Sequence, residues 1–292
     1  ENSSSSLRRD HNMKHTSNNP QGYTLLELMI AMSLGLILVG GAIQILISNK
    51  QTFSMTDAMG STEEGGRFSM HFLTEDIRMA GYSSYAQIDT STPFYLYKAG
   101  GTPAELFCTN ASDEWCTKDG GGTISDQIAV VKEADDLINE DCNGNPMVSD
   151  SARGNKLINV YWVAPDTNND ELSSLFCRGY DASAGAWLGT AALPMVGGVE
   201  SLQVLYGETN SQGQVRYVSF DRVNKMSQVI SVKIGVLVVE AGDGSLSKKS
   251  RSYSIFDARP YTYDDKKNRT LYSTTVYLSN TKLFNIGKSL EY

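Results

Sequence analysis

Residues 22–47 read GYTLLELMIAMSLGLILVGGAIQILI, and this stretch decides the fold. From Leu28 to Ile47 it contains no charged side chain. Twenty helical residues span about 30 Å, which is the thickness of the hydrocarbon core of a bilayer. A secretory signal would have an apolar region of only about 7–15 residues, followed by a small-residue cleavage site. The length therefore predicts a membrane-spanning helix over about 25–47.

The residues before this segment give its orientation. Residues 1–22 are polar and rich in Ser and Asn, and they include Arg8, Arg9 and Lys14. Because basic residues stay on the cytoplasmic side of a membrane helix, the N-terminus is expected in the cytoplasm and the bulk of the chain outside. We exclude 1–22 from fold reasoning because they contain no apolar pattern that could build a core.

The composition excludes several classes of protein. Of 292 residues, 40% are hydrophobic and 20% are charged, values typical of a globular chain rather than a disordered or collagen-like one. The formal net charge of -8 argues against a general nucleic-acid or anionic-membrane coat. Three His and four Cys leave little material for a zinc site. No motif pairs a nucleophile with a base, so we expect no enzymatic activity.

One carboxylate is unusual in this context. Glu27 lies at the cytoplasmic edge of the apolar run, between Leu26 and Leu28. A charge costs about 3 kcal/mol at the bilayer centre and less near the edge. Glu27 therefore either reaches the lipid head groups or requires a cationic partner inside the membrane.

The segment from Gly22 to Leu28, with the apolar run behind it, resembles the class III signal of type IV pilins and pseudopilins. In that family a prepilin peptidase cuts after the glycine on the cytoplasmic face and methylates the new amine. The resemblance implies removal of 1–22 by cleavage between Gly22 and Tyr23, with Glu27 as the fifth mature residue. The family usually has Phe where this sequence has Tyr23.

The same resemblance suggests a role for Glu27 in assembly. In a filament, packed helices would replace lipid, and Glu27 would pair with the N-terminal amine of a neighbouring subunit. Losing one partner of a desolvated ion pair is costly. Glu27 would then set the register between subunits.

The helix is expected to continue beyond the membrane. Apolar residues recur at roughly helical spacing over 51–80, which predicts an amphipathic continuation; they are Phe53, Met59, Phe68, Phe72, Leu73, Ile77 and Ala80. Gly60 and Gly65-Gly66 weaken this helix and mark a candidate kink, and Gly81 is a suitable end. The stretch GGRFSMHFLTEDIRMAGY (65–82) resembles PilW-type minor pilins.

Residues 81–292 are predicted to form a β-rich head. Apolar and alternating runs separated by Gly, Asn and Asp predict an antiparallel meander; they are 124–132, 157–164, 199–206, 228–239 and 271–278. The run TLYSTTVYLSN (270–280) resembles the closing strand of the PilW family. The expected fold is α+β and pilin-like, with the long N-terminal helix, membrane-spanning in its first half, packed on an antiparallel β-sheet head.

The cysteines predict an oxidised head. Four cysteines allow three pairings, and outside the cytoplasm they should form disulfides. We favour Cys108–Cys116 because a short loop closes easily, which leaves Cys142–Cys177. The second pair also resembles a recurring pair of the PilW-type proteins.

The other site-like patterns are partial. Asn139, Asp141, Asn143 and Asp150 follow part of an EF-hand loop, with Cys142 among them, so they form either a calcium site or a solvated loop. No other cofactor is expected. The clusters Lys248-Lys249-x-Arg251 and Lys266-Lys267-x-Arg269 are interpreted as solvated turns, with contact to DNA or an acidic partner as the alternative.

The resemblance implies a minor pilin that helps to prime and assemble the type IV pilus as a tip-proximal subunit. It would support adhesion, twitching motility or DNA uptake. Implied partners are other minor pilins, the major pilin, the prepilin peptidase, the inner-membrane assembly platform, a large tip adhesin and, before assembly, membrane lipid. The implied location is the inner membrane, with the head in the periplasm, and then the pilus at the cell surface.

Two other functions fit the sequence. A J-type pseudopilin of a type II secretion system shares the signal and the head architecture but tends to be shorter. An unprocessed, membrane-anchored periplasmic binding protein or enzyme belongs to a different class, and Glu27 with the Gly22-Tyr23 junction argues against it.

Overall fold

The computed structural model describes residues 22–83, 96–97, 107–108, 115–122, 124–148, 155–167, 172–242, 244 and 246–280. The chain divides into two compact units, Glu1–Thr52 and Phe53–Tyr292. In the first unit the described residues are almost entirely helical. The second unit contains the β-sheets.

Helix α1 runs over Leu25–Arg78. It is long and apolar enough to cross a membrane, and no residue of its most apolar stretch is buried. The helix continues through Gly60 and Gly65-Gly66 and ends two residues before the predicted Ala80. Gly81 follows with φ 71°, a left-handed conformation that glycine adopts without steric cost.

The buried face of α1 agrees with the predicted one at its C-terminal end and differs from it in the preceding turns. Its buried residues are mostly small; they are Ala58, Thr62, Gly65, Gly66, Ser69, Leu73, Asp76 and Ile77. Of the apolar residues predicted for that face, Leu73, Ile77 and Ala80 are buried, whereas the other four are exposed, by 74% at Phe53 and 46% at Phe68. Both sets recur at helical spacing, so periodicity alone could not tell which one faces the head.

The glycine pair allows close approach between α1 and the sheet. A β-carbon on Gly65 would lie 3.1 Å from Val238 Cγ1, and one on Gly66 would overlap the ring of Tyr272. The two glycines are therefore contact positions against the sheet. The helix is continuous through both of them.

The head is built from antiparallel strands apart from one short parallel pair. In chain order the strands are β1 Leu96–Tyr97, β2 Phe107–Cys108, β3 Ile128–Glu133, β4 Lys156–Pro165, β5 Ser173–Asp181, β6 Ala186–Trp187, β7 Leu193–Gly197, β8 Val199–Thr209, β9 Val215–Val218, β10 Val229–Val239, β11 Lys249–Tyr253, β12 Tyr261–Asp265 and β13 Arg269–Tyr277. Two 3₁₀ turns, Phe220–Arg222 and Met226–Gln228, precede β10.

The strands form two larger sheets rather than a single meander. One has the order β3-β4-β5-β6, with β7 also paired to β5, and the other has the order β13-β10-β8-β9. Strands β1 with β2 and β11 with β12 form separate two-stranded sheets. The hairpin β11–β12 lies between β10 and β13 in sequence, and β13 returns to pair with β10. The α+β architecture is confirmed.

The main core combines residues of both larger sheets with the last turns of α1. Leu73 and Ile77 from the helix are fully buried with Val130, Leu202 and Ile234 from the strands. A second, smaller cluster with Ala129 and Val160 covers the other face of the β3–β6 sheet. Because side chains alternate along a strand, β3 and β4 contribute to both clusters.

Candidate functional site

The candidate site at the N-terminus begins with exposed backbone. Residues 1–21 lie outside the described part of the chain, and Gly22 and Tyr23 are exposed, Tyr23 by 90%. The junction between them is therefore accessible in this structure. Cleavage and methylation there remain predictions.

Thr24 and Glu27 form a capping box at the first turn of α1. Glu27 N–H donates to Thr24 Oγ1 at 3.2 Å. In return, Glu27 Oε2 accepts from the backbone N–H and the hydroxyl of Thr24, at 2.9 and 3.0 Å. Thr24 is the N-cap and Glu27 is three residues into the helix, so each satisfies an amide that the helix leaves unpaired.

This capping role was not anticipated, although the sequence contains its signal. A Thr followed three residues later by Glu, just before an apolar run, is typical of a helix start. The carboxylate thus has a structural role besides the predicted assembly role. Within the described residues, Oε1 of Glu27 makes no hydrogen bond, so this oxygen is available to a second partner.

The end of α1 is joined to the β3–β6 sheet through a buried polar network. Asp76, 9% exposed, forms an ion pair with Lys132 of β3. Asn159 Nδ2 donates to it at 3.1 Å, and so does the Tyr161 hydroxyl. Burial and the nearby Asp76 carboxylate raise the pKa of Tyr161 well above its usual value, so this hydroxyl stays protonated and donates.

A second carboxylate connects the two larger sheets. Asp126 precedes β3 and is 6% exposed. Its Oδ1 accepts from Gly120 N–H and its Oδ2 from Val204 N–H of β8, both at 2.8 Å. Burial, outweighing these hydrogen bonds, raises the pKa of Asp126 to about 7.

The candidate calcium loop is organised by hydrogen bonds to Asp141. Its Oδ1 accepts from the backbone N–H groups of Asn143 and Asn145, and its Oδ2 accepts from Gly179 N–H of β5. These donors direct hydrogens at both oxygens, an arrangement that suits loop closure rather than cation binding. In the parts of the chain that are described, no group of three or more acidic, His or Cys side chains could hold a metal ion. Asp150 lies outside them.

The same loop contains a disulfide. Cys142 is bonded to Cys177 of β5, with 6.3 Å between their α-carbons. Asn143 Nδ2 also donates to Cys177 O at 2.7 Å. Cys116 is disulfide-bonded as well. The side chain of Cys108, its predicted partner, lies outside the described residues.

The arginine of each basic cluster is engaged within the head. Arg269 is buried, pairs with Glu200 at 2.6 Å and Asp265 at 2.7 Å, and lies 3.6 Å from the ring centroid of Tyr263. Arg251 donates to backbone carbonyl groups. A guanidinium bound in this way is not free to contact phosphate. Lys248, Lys249 and Lys266 are exposed, as expected for solvated turns.

Two family models match parts of the chain. Residues 160–280 match the family model of the type IV pilus-assembly protein W, and residues 17–43 match the prokaryotic N-terminal methylation motif. No curated protein matches the chain. Among solved structures, a type IV-like pilin from Thermus thermophilus aligns with TM-score 0.32 and 16% identity, covering 56% of this chain and 82% of its own.

The matched regions contain the features described above. The methylation motif spans the Gly22-Tyr23 junction and the capping box, and with the apolar helix it indicates inner-membrane anchoring with a periplasmic head. The PilW match covers β4 to β13, including one cysteine of the disulfide. Such families are structural, and they imply assembly with other pilins and processing by the prepilin peptidase. Together, the match over 160–280 and the methylation motif support a type IV pilus minor pilin of the PilW family.

Proposed function

We propose that this minor pilin primes assembly of the type IV pilus as a tip-proximal subunit, together with other minor pilins. The observation that carries the proposal is the apolar surface left exposed along α1. It includes the uncharged run, and in the second unit it continues with Phe53, Met59, Phe68 and Phe72. Lipid covers the uncharged run before assembly, and helices of neighbouring subunits replace it afterwards.

The proposed contact between subunits uses Glu27. Its Oε2 is held by Thr24, and its Oε1 accepts from the N-terminal amine of a neighbouring subunit. Since an unpaired charge in an apolar environment is costly, a subunit docked at the wrong offset would be disfavoured. The capping box lowers this penalty, because the Glu27 carboxylate keeps its hydrogen bonds to Thr24 wherever the neighbouring subunit docks.

The partners in this role are other minor pilins, the major pilin, the inner-membrane assembly platform and a large tip adhesin. The biological output would be adhesion, twitching motility or DNA uptake. After export, the assembled subunit would lie in the pilus at the cell surface.

The first experiment is the intact mass of the protein from sheared surface filaments and from the membrane fraction. We expect a species that starts at Tyr23, carries one added methyl group and has oxidised cysteines, and we expect it in the filaments. The same mass confined to the envelope would favour a secretion pseudopilin. An uncut chain in both fractions would contradict the proposed processing.

The role of Glu27 is tested by Glu27→Leu with Thr24→Val as the matched control. Glu27→Leu should leave export and cleavage intact but reduce incorporation into filaments. Thr24→Val removes the capping hydroxyl and keeps the carboxylate, so incorporation should persist. Equal incorporation of both variants and the wild type would refute the pairing of Glu27 with the amine.

A further inference from the structure

The β3–β6 sheet has a cavity of about 420 Å³ on the face that carries the smaller cluster. We call it the tryptophan cavity; its lining residues are Lys118, Gln127, Trp162, Arg178, Trp187 and Ala192. The alternation of β4 explains its position, since Tyr161 faces the main core and Trp162 faces the cavity. A cavity of this volume lies at the small end of the range for small-molecule sites.

The aromatic residues around the cavity pack against one another. All three tryptophans of the chain lie on this face of the sheet. Trp115 stacks on Tyr180 at 5.0 Å, and Trp187 meets the same ring edge-on at 5.4 Å. Trp162 stacks on Phe176 at 6.0 Å. These rings are half-buried, so they offer rigid apolar surfaces to a ligand at little cost in conformational entropy.

Two cationic side chains, Lys118 and Arg178, also line the cavity. Arg178 is oriented by hydrogen bonds from Nε to Leu188 O and from Nη2 to Gly189 O, at 3.0 and 2.9 Å. Its guanidinium lies 5.2 Å from the ring centroid of Trp187. Within the described residues, neither Arg178 nor Lys118 has a carboxylate partner. In a chain of net charge -8, two cations that line one cavity without acidic partners favour an anionic ligand.

We propose that the tryptophan cavity binds an acidic saccharide residue of the uronic acid class. The apolar C–H face of a pyranose ring would lie against Trp162 or Trp187, and its carboxylate would accept from Lys118 and from Nη1 of Arg178. Charge-assisted hydrogen bonds of this kind are stronger than neutral ones. A single-stranded nucleic acid is less suitable, because it requires an extended basic groove rather than one concave site on an acidic protein.

The test uses the full-length protein in detergent micelles and digalacturonate as the probe. Binding is followed by intrinsic fluorescence, since every tryptophan lies on the face of the cavity. We expect a saturable change with digalacturonate and about tenfold weaker binding of the neutral disaccharide galactobiose. Lys118→Gln should weaken digalacturonate binding by about tenfold. The matched control Lys225→Gln, an exposed lysine outside the cavity, should leave it unchanged.

Three results would overturn the proposal. The first is a fluorescence titration with digalacturonate that does not saturate. The second is equal affinity of Lys118→Gln and the wild type for digalacturonate. The third is salt-sensitive binding of oligothymidylate by a protein that does not bind digalacturonate. Thermal unfolding of each variant separates lost binding from lost folding. A second variant, Ala192→Trp, fills the cavity without removing a charge and should abolish binding. The proposal is independent of the role in pilus assembly.

Discussion

Replacing Asp76 with Ala should strongly destabilise the junction between α1 and the β3–β6 sheet. The substitution removes the acceptor of three buried donors, which belong to Lys132, Asn159 and Tyr161. The ammonium group of Lys132 would then remain buried without its counter-ion, because Lys132 is only 8% exposed. Loss of a surface ion pair, by contrast, leaves the remaining charge in contact with water.

The size of the effect follows from the burial of the pair. Breaking a buried ion pair by removing one partner costs about 3–5 kcal/mol, and each unsatisfied buried donor costs about 1–3 kcal/mol. These terms overlap, so we expect a decrease of about 4 kcal/mol in the free energy of unfolding. Lys132→Met should cost about 2 kcal/mol, because Asp76 keeps its two other donors. The double variant should cost about 3 kcal/mol, less than the sum of the two single changes.

The assay is urea unfolding of the full chain in detergent, followed by tryptophan fluorescence with the disulfides intact. Glu75→Ala is the matched control: Glu75 precedes Asp76 and pairs with Arg78 on the surface, where both side chains are more than half exposed. That variant should change stability by about 0.5 kcal/mol or less. Additive effects of Asp76→Ala and Lys132→Met would refute the reasoning, as would equal effects of Asp76→Ala and Glu75→Ala.

The other predictions also concern stability, measured by the same unfolding assay. Gly66→Leu should lower the free energy of unfolding by about 2 kcal/mol or more through overpacking against the sheet. Gly60→Leu, which enters open space, should raise it by up to about 1 kcal/mol. Because the pKa of Asp126 is raised from 3.8 to about 7, its contribution is complete below pH 3.8 and is lost as pH rises towards 7. Relative to Asp126→Asn, the wild type should lose up to about 1.4 kcal/mol per pH unit in this window. Removing the Cys142–Cys177 disulfide, which links residues 35 positions apart, by replacing both cysteines with Ala should cost about 4 kcal/mol.

Each of these predictions has a contrary outcome. Equal stability of the two glycine variants would show that the helix does not approach the sheet closely at Gly66. A difference between the wild type and Asp126→Asn that stays constant from pH 4 to 7.5 would contradict the raised pKa. An unfolding midpoint unaffected by the cysteine replacements would mean that the 142–177 loop is ordered by hydrogen bonds alone.

The sequence predicted elements with strong local patterns. The apolar run predicted the start of α1, and the alternating residues of 228–239 and 157–164 predicted β10 and β4 nearly to the residue. Strand β5 was not predicted, because Arg178 and Gly179 interrupt its apolar alternation. Hydrophobic periodicity is informative only where polar residues do not occupy the buried or half-buried positions.

Interactions between distant residues could not be predicted in this way. Asp76 lies in a charged stretch of α1, a pattern that predicts a solvent-exposed side chain. Its hydrogen-bond donors Asn159 and Tyr161 lie 83 and 85 positions further along the chain. The exposed side chains of Phe53 and Phe68 illustrate the same limit, since the surface that we propose packs against other subunits has the composition of a core. By contrast, the Thr24–Glu27 capping box was readable from the sequence.

The capping box has a consequence for maturation. The described hydrogen bonds that close the first turn of α1 join Thr24 to Glu27 and to Leu28, all on the carboxyl side of the proposed Gly22-Tyr23 scission. Loss of the leader would therefore leave the described hydrogen bonds of this turn in place, and the first turn of the helix would stay formed at the new terminus. The peptidase could release its product into the bilayer without a refolding step, ready for recruitment into the growing fibre.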